Sequence, residues 1–140
     1  MARLGSAPSH GYQVAETITA TKTLTDGDAG KLLYLDSANG AYTITMPSVR
    51  AGLHYKFVVQ EDTPTGAITI AMGSAIGFGK VRENEVDSGD DGPGSSGATG
   101  VSNVIIGTNT NKGDWLEFDC DGTSWYFRGV TSNDGDVTTS

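Results

Sequence analysis

Two carboxylates and a tryptophan stand at alternate positions near the end of the chain. Trp115, Glu117 and Asp119 in "WLEFDC" share one face of a predicted strand, which places the carboxylates about 7 Å apart. Paired carboxylates at such separations hydrolyse glycosides, and a tryptophan ring can stack on a sugar. Catalysis would need one carboxyl with a raised pKa, and glycan binding a concave site. Acids that keep a sheet soluble are the simpler interpretation, so we expect no enzyme.

Other motifs offer weaker chemistry. "GPGSSG" at 92–97 matches the phosphate-binding glycine pattern, but Asp90 and Asp91 precede it where a buried strand would be needed. The soft metal ligands His10, His54 and Cys120 are scattered along the chain, without the close spacing of a zinc site. We therefore expect neither a zinc ion nor a cofactor.

Acidic turns leave a structural ion as an alternative. "DGD" occurs at 26–28 and 134–136, and "DCDG" at 119–122, and hard cations prefer clustered oxygens. None of these segments continues into a twelve-residue calcium loop, and Asp-Gly is a common turn signal. We interpret these segments as turns.

A hairpin closes the segment that holds both tryptophans. A two-residue turn at Asp121-Gly122 would pair Phe118 with Trp125 and Trp115 with Arg128. This register predicts an inner and an outer face, with Arg128 over the Trp115 ring and within reach of Glu117. The inner face would hold Leu116, Phe118, Cys120, Trp125 and Phe127, and the outer face Trp115, Glu117, Asp119, Tyr126 and Arg128.

Composition limits the partners. The chain has 140 residues, a formal net charge of −8 and a pI near 4.4. An acidic surface repels phosphate backbones and anionic headgroups, so neither nucleic acid nor membrane is an expected partner. One cysteine makes no internal disulfide, and no apolar run approaches the about 20 residues of a membrane span.

Strand signals dominate the rest of the sequence. "AYTITM", "LHYKFVVQ" and "AITIAM" alternate apolar and polar residues, and no helical periodicity persists. The sequence predicts an all-β sandwich or jelly roll of eight or so strands over residues 12–130. We expect an extended arm at 1–11, a long glycine- and acid-rich loop at 73 to about 103, and a polar tail at 131–140.

The order of these segments resembles a module of tailed-phage virion proteins. "TLTDGDAGKLLYLDSANGAYTITMPSVRAGLHYKFVV", then "AITIA", then "GDWLEFDCDGTSWYFRG" carry the likeness, over roughly residues 23 to 130. It is most similar to small head decoration, or cement, proteins. The long acidic insertion at 83–103 departs from that pattern. The residues that match are Gly30, Pro47, Gly52, Gly113, Asp114, Asp121, Gly122 and Trp125.

The resemblance implies a structural role in a virion. Proteins of this kind stabilise the outer capsid surface, often as homotrimers bound to the major capsid protein, after synthesis in the host cytoplasm. The same module also ends tail fibres, so a tail receptor or glycan-binding role is the alternative. The contact residues we expect are Arg3, Leu4, Tyr12, Trp115, Glu117 and Arg128.

Overall fold

The computed structural model describes residues 12–62, 64–84, 95–133 and 135–140, and strands dominate them. A 3-10 turn at Asp26–Asp28 interrupts the strands. No helix in these ranges is long and apolar enough to cross a membrane. The strands are β1 (Ala15–Ile18), β2 (Lys22–Thr23), β3 (Leu32–Leu35), β4 (Tyr42–Thr45), β5 (His54–Val59), β6 (Ile68–Ala71), β7 (Gly77–Glu83), β8 (Ser95–Val101), β9 (Asn103–Ile106), β10 (Trp115–Cys120), β11 (Trp125–Thr131) and β12 (Val137–Thr139).

Two sheets pack face to face. The large sheet has seven strands in the order β1-β3-β5-β10-β11-β7-β8, and the small sheet has five in the order β12-β9-β6-β4-β2. Apolar side chains from both sheets form one core between them. The predicted all-β sandwich is confirmed.

The first six strands alternate between the two sheets. β1, β3 and β5 pair in parallel in the large sheet, while β2, β4 and β6 pair in parallel in the small one. β11 is also parallel to β7. Jelly rolls are built from antiparallel strands, so these mixed sheets are a feature that the sequence did not predict.

The alternating strands bury the predicted faces. Tyr55 and Phe57 of β5 are fully buried, as are Ile44 of β4 and Ile70 of β6. Their neighbours along each strand are half-buried on the opposite face. This period of two confirms the core faces expected for "AYTITM", "LHYKFVVQ" and "AITIAM".

The predicted loop at 73 to about 103 is wrong where the structure describes it, because β7 and β8 form an antiparallel pair there. Gly77 and Gly79 occupy inward positions of β7. A Cβ on Gly79 would lie 2.0 Å from the Phe127 carbonyl oxygen, so this glycine allows close packing of a strand. Residues 85–94 of the acidic insertion lie outside the described residues.

The predicted polar tail at 131–140 is also wrong. Thr131 ends β11, and β12 pairs with β9 at the edge of the small sheet. Val137 is 1% exposed and belongs to the core. Val137 supplies the inward apolar residue of this short strand, although the surrounding sequence is polar.

Candidate functional site

The closing hairpin has a four-residue loop where a two-residue turn was predicted. Cys120 pairs with Trp125 and Phe118 with Phe127, so the register differs by two residues from the prediction. Asp121 explains the difference, because its side chain accepts hydrogen bonds from the backbone N–H groups of Thr123 and Ser124, both at 2.8 Å. A longer loop is thereby held closed.

A shift of two residues preserves the face of every side chain. The predicted inner residues, including Cys120, are all buried, and Trp125 is fully so. Phe118 stacks on Phe127 with ring centroids 5.6 Å apart, which replaces the predicted Phe118–Trp125 pair. The predicted assignment of inner and outer faces is therefore confirmed.

Strands β5, β10, β11 and β7 lie side by side and present three rows of outward side chains, which we call the outer face. The registers place four residues in each row. The loop row lies nearest the hairpin loop, the middle row is entirely charged, and the far row is mostly apolar. The loop row is His54, Asp119, Tyr126 and Phe78; the middle row is Lys56, Glu117, Arg128 and Lys80; the far row is Val58, Trp115, Val130 and Arg82.

A chain of ion pairs joins the first two rows. The Arg128 guanidinium lies 2.7 Å from Asp119 Oδ2 and 3.0 Å from Glu117 Oε2. Asp119 Oδ1 lies 2.7 Å from His54 Nδ1, and Glu117 Oε1 lies 3.6 Å from Lys56 Nζ. The two carboxylates predicted to share a face therefore share one guanidinium.

These contacts set the ionisation of the network. Burial raises the pKa of Asp119, but hydrogen bonds from His54 and Arg128 outweigh it and hold the pKa below its ordinary value. The hydrogen bond to Asp119 likewise raises the pKa of Arg128. A glycosidase acid needs the opposite shift, a raised carboxyl pKa, so Asp119 suits an ion-pair network better than that role.

Trp115 contacts a different cation from the one predicted. Lys56 Nζ lies 5.1 Å from the centroid of the Trp115 ring, in cation–π range. The register pairs Trp115 with Val130, which moves Arg128 one row away. The predicted Arg128–Trp115 contact is wrong, whereas the predicted Arg128–Glu117 ion pair is confirmed.

An open depression of about 400 Å³ lies over β7 and β11. Phe78 and Tyr126 border it with near-parallel rings, whose centroids are 6.0 Å apart and whose planes differ by 28°. Lys80 and Arg128 border it from the next row, and Thr99 of β8 lines it as well. Tyr126 is 45% exposed. The depression is shallow and open to solvent.

The remaining predicted contacts lie elsewhere. Tyr12 is 83% exposed, beside the 3-10 turn and next to an exposed Val14, far along the large sheet from β11. Arg3 and Leu4 lie outside the described residues. The structure therefore brings Trp115, Glu117 and Arg128 together and leaves Tyr12 apart from them.

Two of the three acidic turns that suggested an ion are engaged with protein groups, and Asp134 of the third lies outside the described residues. Asp26 lies 2.8 Å from the Arg50 guanidinium, and Asp28 lies 2.5 Å from Lys31 Nζ. Asp121 holds the hairpin loop. Across the described ranges, no group of three or more His, Cys, Asp or Glu side chains has the geometry to hold a metal ion.

Comparisons with known proteins identify no family for this chain. No protein-family model matches the sequence, and no curated protein matches it significantly.

Sequence reasoning missed Phe78 and Lys80. A signal for both is present in "GFGKVR", where the inward positions Gly77 and Gly79 alternate with large outward residues. Because glycine was interpreted as a turn former, the alternation of size within this segment went unused. Small inward residues that alternate with large outward residues along one strand indicate that the strand packs closely on the strand beside it.

Proposed function

We propose that this chain is a non-enzymatic structural protein of a phage virion, which binds the outer capsid surface and stabilises it. The resemblance of residues 23 to 130 to decoration proteins motivates the role, and the outer face of the large sheet supports it. Binding stabilises a shell when the protein prefers the assembled shell to its separate subunits.

The proposal depends most on the far row, which is mostly apolar and lies beside the charged middle row. Val58, Trp115 and Val130 are half-buried neighbours across three strands, so they form a continuous apolar strip. Interfaces are enriched in tryptophan and arginine at their centres, with polar groups at the rim. A strip of this kind suits a flat protein partner better than a small substrate.

Charge adds a second argument. The outer face holds four cations against two carboxylates, while the whole chain has a net charge of −8. Complementary charge orients a protein as it approaches its partner and suppresses other orientations. We propose that this face meets an acidic surface of the major capsid protein. The four cations are Lys56, Lys80, Arg82 and Arg128.

The experiment adds purified protein to capsids assembled without it and measures bound protein after sedimentation. Wild type should bind in proportion to the number of capsid subunits and raise the melting temperature of the shell. Trp115→Ala should weaken binding at least tenfold, because tryptophans at interface centres contribute about 2 kcal/mol or more. Thr138→Ala, on the other sheet, is the matched control.

Two results would contradict the proposal. One is a copy number of only a few per virion, which would place the protein in the tail as a receptor or glycan-binding module. The other is Trp115→Ala binding that equals wild type. The molar mass of the purified protein, measured by analytical ultracentrifugation, tests the homotrimer that the resemblance implies.

A further inference from the structure

The depression over β7 and β11 has two chemically different walls. The rings of Phe78 and Tyr126 form an apolar wall in the loop row, while Lys80 and Arg128 form a cationic wall in the middle row. Residues two apart on a strand are separated by about 7 Å, so one small ring fits between the walls. A ligand bound here needs an apolar face and an anionic group on opposite sides.

The floor of the depression is backbone. Gly79 and Phe127 are paired across the two strands, and their positions face the core. A Cβ on Gly79 would lie 2.7 Å from Phe127 Cγ, so the strands approach too closely there for any larger residue. The floor is therefore backbone, and the two walls rise from neighbouring outward positions.

Acceptors stand beside the apolar wall. The Tyr126 hydroxyl donates a 3.1 Å hydrogen bond to Asp121 Oδ2, and this bond raises the pKa of Tyr126. Asp119 is paired with Tyr126 on the other side, and Thr99 of β8 lines the depression as well. Asp119 and Asp121 flank Tyr126 outside the lining of the depression, and hydroxyl groups of a ligand can donate hydrogen bonds to these carboxylates.

From this arrangement we propose that the depression binds a carboxylated sugar residue of a glycan. The C–H face of the pyranose ring packs on Phe78 and Tyr126, and its carboxylate lies toward Lys80 and Arg128. Ring hydroxyls donate to Asp119 and Asp121. The site shares Lys80 and Arg128 with the cations proposed to meet the capsid, but it does not include Trp115, which lies on β10.

Titration calorimetry with trigalacturonic acid and its methyl ester tests the proposal, because the ester keeps the sugar rings and removes the charge. We expect the acid to bind with a dissociation constant of about 1 mM and the ester about tenfold more weakly. Tyr126→Ala should weaken binding of the acid about tenfold, while Tyr126→Phe, which keeps the ring, should weaken it much less. Lys80→Gln should bring the acid to the affinity of the ester.

Tyr12→Ala is the matched control, since Tyr12 is an exposed tyrosine distant from β11, and it should bind as wild type does. Urea unfolding of each variant verifies that it is folded. The proposal is overturned if neither sugar binds, if the ester binds as tightly as the acid, or if Tyr126→Ala keeps wild-type affinity. Tighter binding of adenosine monophosphate than of the acid would assign the site to nucleotides instead. Trp115 does not line the depression, so Trp115→Ala should bind the acid as wild type does, which keeps this test apart from the capsid test.

Discussion

Asp28 is expected to make the stability of this protein depend strongly on acid pH. The residue is 7% exposed, and its carboxylate accepts hydrogen bonds from the Thr25 backbone N–H at 3.0 Å and the Thr25 hydroxyl at 3.1 Å. Lys31 Nζ lies 2.5 Å from its other oxygen. Burial raises the pKa of Asp28, but these bonds outweigh it and lower the pKa from 3.8 to about 2.

The sign and size of this pH dependence follow from the linkage between proton binding and folding. The folded chain prefers the ionised carboxylate more than the unfolded chain does, so the stabilisation is complete above the ordinary pKa of 3.8. It is lost as pH falls through that value toward about 2. At about 1.4 kcal/mol for each pKa unit, Asp28 contributes about 2 kcal/mol that disappears between pH 5 and pH 2.

Urea unfolding of wild type and Asp28→Asn at a series of pH values measures this contribution. We expect the variant to be less stable at pH 7 and the difference from wild type to shrink by about 2 kcal/mol at pH 2. Asp26→Asn is the control in the same turn. Its ion pair with Arg50 is exposed and should contribute less than about 1 kcal/mol. A difference for Asp28→Asn that is the same at both pH values would refute the reasoning.

Three further changes test the fold by urea unfolding. Phe118→Ala should lower the free energy of unfolding by about 3–5 kcal/mol, because the ring is fully buried, and a loss below about 1 kcal/mol would contradict the inner face. Gly79→Ala should destabilise far more than Gly27→Ala, whose Cβ would meet only ordinary contacts; equal effects would contradict the close approach of β7 and β11. Removing residues 137–140 should cost about 2 kcal/mol or more through loss of Val137 and the β12 pairing, whereas unchanged stability would mean that the segment is a tail after all.

The sequence predicted the fold class and most of the core because alternation survives in the strands that carry large apolar residues. Leu53, Tyr55 and Phe57 illustrate this, since each is buried where the period of two placed it. The faces of the closing hairpin were predictable for the same reason. They depend on odd and even positions, which a register shift of two leaves unchanged.

The features that the sequence did not predict depend on contacts between residues that are distant in the chain. Gly79 is indistinguishable from a turn glycine until Phe127 is placed beside it. The loop length could not be predicted from the sequence, because Asp121 is compatible with a short turn and also with a longer loop that its side chain holds by hydrogen bonds. The ion-pair network needed the true register, which sets Glu117 beside Arg128 and moves Trp115 next to Lys56.

The strand order also has a consequence for how the chain folds as it is synthesised. β5 and β7 belong to the same sheet but are separated by β10 and β11, which come much later in the sequence. The large sheet therefore stays in two halves until residues 115–131 have left the ribosome. Pairings between distant segments slow folding, since the loops close before the contacts stabilise them. The β10–β11 hairpin, which can form locally, joins the two halves, so we expect the complete large sheet to form only after this hairpin.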